Sequence, residues 1–98
     1  MAGQIRITPD TMDQRAGEYR QRASEVDDII SRMDSMLNQL MGEWEGDAAR
    51  TYQERWAGDL KPSFQRASGL IEEIALAMNK TAHTLRETDA QIAAQLQA

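Results

Sequence analysis

The segment Met41–Asp47, with the sequence MGEWEGD, lies almost at the midpoint of a chain of 98 residues. Its two glycines weaken a helix, and Gly46 can adopt the open backbone geometry that a tight reversal needs. Trp44 supplies a ring large enough to plug the gap between two diverging helices. Because a Trp-x-Gly tripeptide also arises by chance, the position between two long periodic stretches is what indicates a central turn.

The stretch before this turn has the pattern of a long amphipathic helix. Thr8 can cap its start, and Pro9 and Asp10 suit the first turn. Small and apolar residues then recur in alternating steps of four and three: Met12, Ala16, Tyr19, Ala23, Val26, Ile30, Met33, Leu37, Leu40 and Trp44. Such a repeat keeps one face turned toward a partner helix. We predict helix 1 over about residues 9–41 and the turn over about 42–46.

The stretch after the turn continues the same rhythm. Asp47 is a good N-cap, so we predict a second helix over about residues 47–94. Its apolar line is Ala49, Tyr52, Trp56, Leu60, Phe64, Ala67, Ile71, Ile74, Met78, Thr81, Leu85, Thr88 and Ile92. Two consecutive steps of four between Tyr52 and Leu60 interrupt the rhythm, and Pro62 follows. We therefore expect a bend near Gly58 to Pro62.

Two such helices joined by a short turn form an antiparallel hairpin, a single all-α domain over residues 1–98. Each apolar stripe is wider than one partner helix can cover, so we predict that the hairpin dimerises into a four-helix bundle. A monomeric hairpin and an elongated coiled coil are the alternatives. The residues expected in the core or dimer interface are Val26, Ile30, Met33, Leu37, Leu40, Tyr52, Trp56, Leu60, Phe64, Ile71, Ile74 and Met78.

Composition argues against several classes of function. The net charge of −5, without a basic patch, disfavours binding to nucleic acid or to an anionic membrane. No apolar run is long enough for a transmembrane segment. The chain has no cysteine and one histidine, His83, too few ligands for a zinc site. No phosphate-binding loop is present. We expect no enzymatic activity, cofactor, metal or small-molecule substrate.

These features together resemble the WXG family of type VII secretion substrates, also called the Esx class. The likeness rests on the length, the central Trp44-Glu45-Gly46, the lack of cysteine and an N-terminus without the apolar region of a Sec signal peptide. Three further motifs resemble the Gram-positive, homodimeric branch: IxITP at residues 5–9, LKPSF at 60–64 and TDxxI at 88–92.

The resemblance implies a protein that is cytoplasmic at first and is then secreted, folded, without a signal peptide. A membrane-bound ATPase of the FtsK/SpoIIIE type would export it. It would act without catalysis, as an effector or as a carrier for other substrates, and would pair with itself or with a related small helical protein. Trp44 and Gly46 match the turn motif of the family.

The second export signal of the family, Tyr-x-x-x-Asp/Glu, is absent here, because Ala23 and Trp56 stand four residues after the two tyrosines. The nearest counterparts are His83 with Glu87, and Asp89, which stands four residues after a leucine. A composite signal would place the turn of one subunit beside residues 83–89 of the other, as the antiparallel dimers of the family imply.

Two other functions are compatible with the same pattern. One is an adaptor that forms a heterodimer with another secreted helical protein. The other is an intracellular coiled-coil scaffold.

Overall fold

The computed structural model describes residues 7–44 and 46–97, which form two long antiparallel helical rods. The first rod is helix α1, Pro9–Glu43. The second consists of helix α2, Asp47–Arg55, a π-helical turn, Trp56–Leu60, and helix α3, Lys61–Gln97. The molecule measures 77 × 23 × 20 Å. The predicted all-α hairpin is confirmed, whereas Ile5 and Glu45 of the sequence motifs lie outside the described residues.

Local sequence accounts for the start of α1. The Thr8 hydroxyl accepts a hydrogen bond from the Thr11 backbone N–H (3.1 Å), and the Thr8 carbonyl accepts one from the Met12 N–H (2.9 Å). Pro9 follows the cap, where its missing N–H costs nothing and its fixed φ suits a helix. The cap therefore fixes the start of α1 at Pro9.

Small side chains form the line of contact between the two rods, which we call the seam. Its buried residues recur every seven positions: Ala16, Ala23 and Ile30 on α1, and Ser68, Ala75 and Ala82 on α3. Across it, the Ser68 hydroxyl donates to the Ala23 carbonyl (3.3 Å). The alanine and serine side chains allow the helix backbones to approach closely, and except for Ile30 the larger side chains lie beside the seam.

The seam corrects one part of the sequence analysis. The apolar line predicted on the second helix ran through Ala67, Ile74 and Thr81, but the buried line on α3 lies one residue later at each step. A pattern weighted by large apolar residues follows the side of a helix that is most hydrophobic. The closest backbone contact instead requires the smallest side chains.

Polar contacts close one side of the seam near the chain termini. Asp13 accepts a hydrogen bond from the Asn79 side-chain amide (2.7 Å) and forms an ion pair with Arg86 (2.7 Å). Arg86 also reaches Asp10 (2.6 Å), and Arg20 donates to Asn79. The hydrogen bond from Asn79, and then the one from Arg86, hold the pKa of Asp13 below its ordinary value. We call this side of the hairpin the polar edge.

The polar edge continues toward the turn at Asp34. One oxygen of its carboxylate accepts from the Trp56 indole N–H (2.7 Å), and the other accepts from the Lys61 ammonium (2.8 Å). Lys61, and then Trp56, lowers the pKa of Asp34. The buried Trp56 ring also packs against Phe64, with centroids 5.9 Å apart. The contacts of Asp34 with Trp56 and Lys61 therefore connect the second rod to α1 between residues that are 22 and 27 positions apart in the sequence.

The π-helical turn lies immediately before Pro62. The Lys61 N–H bonds to the Trp56 carbonyl five residues back, so the turn is one residue wider than an α-helical turn. A wide turn here reduces the clash between the Pro62 ring and the preceding carbonyls. The wide turn also coincides with the two four-residue steps that the apolar line makes between Tyr52 and Leu60. It brings the Trp56 indole and the Lys61 ammonium to the same carboxylate, that of Asp34.

Acidification should destabilise the hairpin through these carboxylates. Asp13 and Asp34 have lowered pKa values in the folded state, so the unfolded chain binds more protons. Their contribution to stability is therefore complete above the unfolded value of about 3.9 and is lost as the pH falls through the folded pKa. Circular dichroism melts between about pH 2 and 6 should show Tm falling at the acidic end.

The variant Asp34→Asn should have a lower Tm at neutral pH and a shallower fall on acidification. Asp28→Asn, at an exposed carboxylate of the same helix, is the matched control and should follow the wild type. Equal acid slopes in the wild type and Asp34→Asn would contradict this account of Asp34.

Candidate functional site

The central turn depends on the backbone of one glycine. Trp44 leaves α1 in an extended conformation, and its N–H still bonds to the Leu40 carbonyl (2.8 Å). Gly46 then has φ = +126°, a conformation that residues with a Cβ rarely adopt. Gly46, not the predicted Asp47, is the N-cap of α2. Asp47 is the first residue of the helix, and its carboxylate pairs with Arg50.

Trp44 lies at the surface of this turn. We expected its ring to fill the space between the diverging helices, but 36% of the residue is exposed. It packs on one side against Tyr52, with ring centroids 5.6 Å apart and planes tilted by 43°. The tryptophan that fills the interior is Trp56, whose indole N–H has the carboxylate partner described above. Trp44 therefore presents part of an aromatic ring to any protein that contacts the tip of the hairpin.

An open apolar groove of about 640 Å³ adjoins Trp44. Met33, Met36 and Leu40 of α1 line one wall, and Tyr52 and Leu60 of the second rod line the other. The groove is the turn end of a longer surface on the side of the hairpin opposite the polar edge. We call this surface the apolar face; its exposed members are Ile29, Met33, Met36, Leu40, Leu60, Phe64 and Ile74.

The residues predicted for the core or dimer interface fall into two groups. Ile30 and Trp56 are buried within the hairpin, and Val26, Leu37, Ile71 and Met78 are half-buried beside the seam. The other six, Met33, Leu40, Tyr52, Leu60, Phe64 and Ile74, are exposed. The same chain therefore covers half of these side chains at least in part and leaves the other half exposed.

The candidate export residues lie near the other end of α3. His83 Nε2 and Glu87 Oε1 are 2.7 Å apart, one helical turn from each other, and both side chains are exposed. Asp89 is two residues further along, so it lies on the other side of the helix, about 200° away. The nearby Arg86 pairs with Asp10 at the start of α1. At about 1.5 Å per residue, His83 is therefore about 50 Å from the turn.

Residues 7–44 and 46–97 contain no cluster of three or more His, Cys, Asp or Glu side chains that could hold a metal ion. Within the same ranges, no helix is both long and apolar enough to cross a membrane.

Comparison with known proteins gives a consistent result. Residues 4–90 match the family model WXG100, described as proteins of 100 residues with WXG. The chain is 34% identical to Protein YukE of Bacillus subtilis over 98% of both chains. It is 26% identical to Type VII secretion system extracellular protein A of Staphylococcus aureus over 90% of both. It superposes on Geobacillus thermodenitrificans EsxA with a TM-score of 0.83 and 35% identity, covering 95% of this chain and 99% of the other.

Two glycine substitutions should have opposite effects on the stability of the hairpin. Gly46→Ala places a Cβ on a backbone with positive φ and should lower the free energy of unfolding by about 1–2 kcal/mol. Gly42→Ala, in the last turn of α1, meets no atom within 4 Å and should raise it by up to about 1 kcal/mol. Urea unfolding measures both, and destabilisation by neither or by both would contradict the turn geometry.

Proposed function

This chain belongs to the WXG100 family, and we propose on that basis that it is a small protein secreted by a type VII secretion system, acting through protein–protein contacts without catalysis. One relative of nearly the same length is named an extracellular protein of such a system. Because the matches extend over nine-tenths or more of each chain, the proposal concerns the whole hairpin.

We propose that the working form is an antiparallel homodimer whose apolar faces cover each other in a four-helix bundle. Support comes from Met36, Ile29 and Ile74, which are 63%, 48% and 47% exposed in the single hairpin. Burying large apolar side chains is the main driving force for association of this kind. The polar edge supplies its own interhelical contacts and has less need of a partner.

We propose that the export signal of the dimer, which we call the export address, is composite: one part comes from each subunit. The observation that supports this proposal is the distance between the two parts in a single hairpin. Trp44 lies at the turn, whereas the His83–Glu87 pair is about 50 Å away in the same hairpin. A second, antiparallel copy would bring the turn of one subunit to the end of the molecule where the other subunit has His83. We propose that the secretion ATPase, of the FtsK/SpoIIIE type, recognises the two parts together, before the protein leaves the cytoplasm.

The turn can be tested by measuring secretion. Trp44→Ala should reduce the amount of protein in the culture supernatant by tenfold or more, about the effect of losing an aromatic anchor, while the protein accumulates in cells. Gln53→Ala alters an exposed side chain of α2 at the same end of the hairpin, outside the groove, and should retain export. Secretion of Trp44→Ala at the wild-type level would reject recognition of the turn.

The second part of the address has its own test. His83→Ala combined with Glu87→Ala should block export and leave the dimer intact, because both side chains lie on the side of α3 that faces away from the apolar face, one and five residues after Ala82. Lys80→Ala combined with Thr84→Ala alters an exposed pair at the same spacing and should be exported normally. If the two double variants are secreted equally, the His83–Glu87 pair is not part of the address.

The second candidate function is an adaptor that pairs with another secreted helical protein. The uncovered apolar face favours it as well, because a related hairpin could cover the same side chains. The oligomeric state of the purified chain separates the two candidates.

A further inference from the structure

The π-helical turn shifts the second rod by one residue, and this shift, which we call the offset, determines which side of α2 packs against α1. We infer that Asp34 is the positioning residue that holds the offset in place. Through the offset, Asp34 also aligns Tyr52 with Trp44 at the tip of the hairpin. The consequence of the offset for export rests on the recognition of the turn proposed above.

The spacing of the buried residues on the second rod reveals the offset. After Ser68 they recur every seven positions, but before it they are Trp56 and Ala49, which stand 12 and 19 positions back. At about 100° per residue, a continuous α-helix would place these two residues about 120° and 100° away from the line of Ser68. It would instead align Ala57 and Arg50, which stand 11 and 18 positions back. The wide turn therefore adds one residue between the buried line of α3 and that of α2.

Without the offset, α2 would turn an unfavourable side toward α1. Arg50 now lies at the surface, where its side chain is 67% exposed. An α-helical continuation would move it into the place of the buried Ala49, where its charge would lose contact with water. Gln53 would likewise take the place of Tyr52 beside Trp44. The aromatic pair at the tip, with its ring centroids 5.6 Å apart, would then be lost.

Helix α2 contributes little of its own to keeping the offset. It has nine residues, and its buried residue is Ala49, which has one of the smallest side chains. A helix of this length is marginal in water unless packing supports it. The orientation of α2 therefore depends on what holds the π-helical turn that follows it.

Asp34 holds the π-helical turn at both ends. Trp56 begins the turn and Lys61 follows its last residue, and they donate to the two oxygens of this one carboxylate at 2.7 and 2.8 Å. Residues five positions apart in an α-helix point about 140° away from each other, whereas a wider turn brings them to the same side. Pro62 favours the same geometry, because its ring would clash with the Gly58 carbonyl in a regular α-helix.

Thiol labelling of single cysteines can measure the offset, because the chain has no cysteine of its own. Ala49→Cys places a thiol on the buried side of α2. Arg50→Cys places one about 100° away, at the surface and on the side that faces away from the apolar face. Iodoacetamide should label Arg50→Cys about tenfold faster than Ala49→Cys, or more, because a buried thiol is inert. We call this quotient of rates the labelling ratio.

Removing the Asp34 carboxylate should abolish the difference. With Asp34→Ala added, α2 loses the contact that fixes its rotation, and the labelling ratio should approach one. Asp28→Ala, at an exposed carboxylate of the same helix, is the matched control and should leave the ratio unchanged. Circular dichroism verifies that each variant keeps its helices. Asp34→Asn, which retains an acceptor for one of the two donors, should lower the ratio less and replaces Asp34→Ala if that variant unfolds.

Deletion of Gly58 provides a rescue that does not involve Asp34. It removes the extra residue of the wide turn, so a continuous α-helix then keeps Ala49 on the buried side. Pro62→Ala accompanies the deletion, since proline is unfavourable inside an α-helix. In this shortened chain the labelling ratio should stay at the wild-type value with and without Asp34→Ala. Pro62→Ala alone should leave the dependence on Asp34 intact.

Two results would overturn the inference: an unchanged labelling ratio in Asp34→Ala, or a ratio near one in the shortened chain. Secretion of the same chains without added cysteines separates the inference from the proposed function. Asp34→Ala should be secreted as poorly as Trp44→Ala, and the shortened chain should restore secretion of Asp34→Ala. If the labelling ratios are as expected but Asp34→Ala is secreted like the wild type, the offset stands and the proposed recognition of the turn is rejected.

Discussion

Close approach of two helices along a seam of alanine determines the rest of this structure. Ala16, Ala23, Ala75 and Ala82 have no exposed surface, and none of them has a side chain that could separate the rods. Most large apolar side chains are consequently excluded from the centre of the hairpin, although Ile30 and Trp56 are buried there. Many of the others lie on one side of the seam, on the apolar face, where the chain itself cannot cover them. The hairpin therefore has its secondary structure in place, but many of its large apolar side chains remain exposed to solvent.

The two sides of the seam have different roles. On the polar edge, Asp13 and Asp34 bind donors from the second rod and fix its alignment with α1. On the apolar face, methionine, leucine, isoleucine and aromatic side chains remain available to a partner. The turn joins both sides at one end, because Gly46 reverses the chain and Trp44 stays partly exposed beside the groove. In the proposed dimer, this division would direct association to one surface and would leave the exposed tip and the C-terminal part of α3 for recognition.

The sequence alone predicted the elements well because their periodicity is strong. The unbroken 3.5-residue repeat of α1, the Thr8 cap and the central glycines located both helices and the turn. The centre of the seam on α3 was wrong by one residue, since hydrophobic periodicity emphasises Ile74 rather than Ala75. A search for small residues at seven-residue spacing would have found Ser68, Ala75 and Ala82.

Other features of the site depend on contacts between residues far apart in sequence. The burial of Trp56 depends on Asp34, which provides a partner for the Trp56 indole 22 residues away. No local pattern contains that pairing. In the sequence, the π-helical turn appears only as an interruption of the apolar periodicity before Pro62. Its hydrogen-bonding pattern became evident only from the backbone of the structure. The candidate export signal came from the resemblance to the family. The role of His83 and Glu87 in it stays a prediction, and the structure shows that these two side chains are in contact.

The central claim is that the apolar face of one hairpin needs a second hairpin to cover it. Sedimentation equilibrium of the purified wild-type chain across a range of concentrations tests this most directly. The account predicts a single species with twice the 11.0 kDa mass of one chain, persisting into the micromolar range. A stable, well-folded species of 11.0 kDa at the highest concentrations would contradict it, because the exposed methionine, leucine and isoleucine side chains would then need no partner.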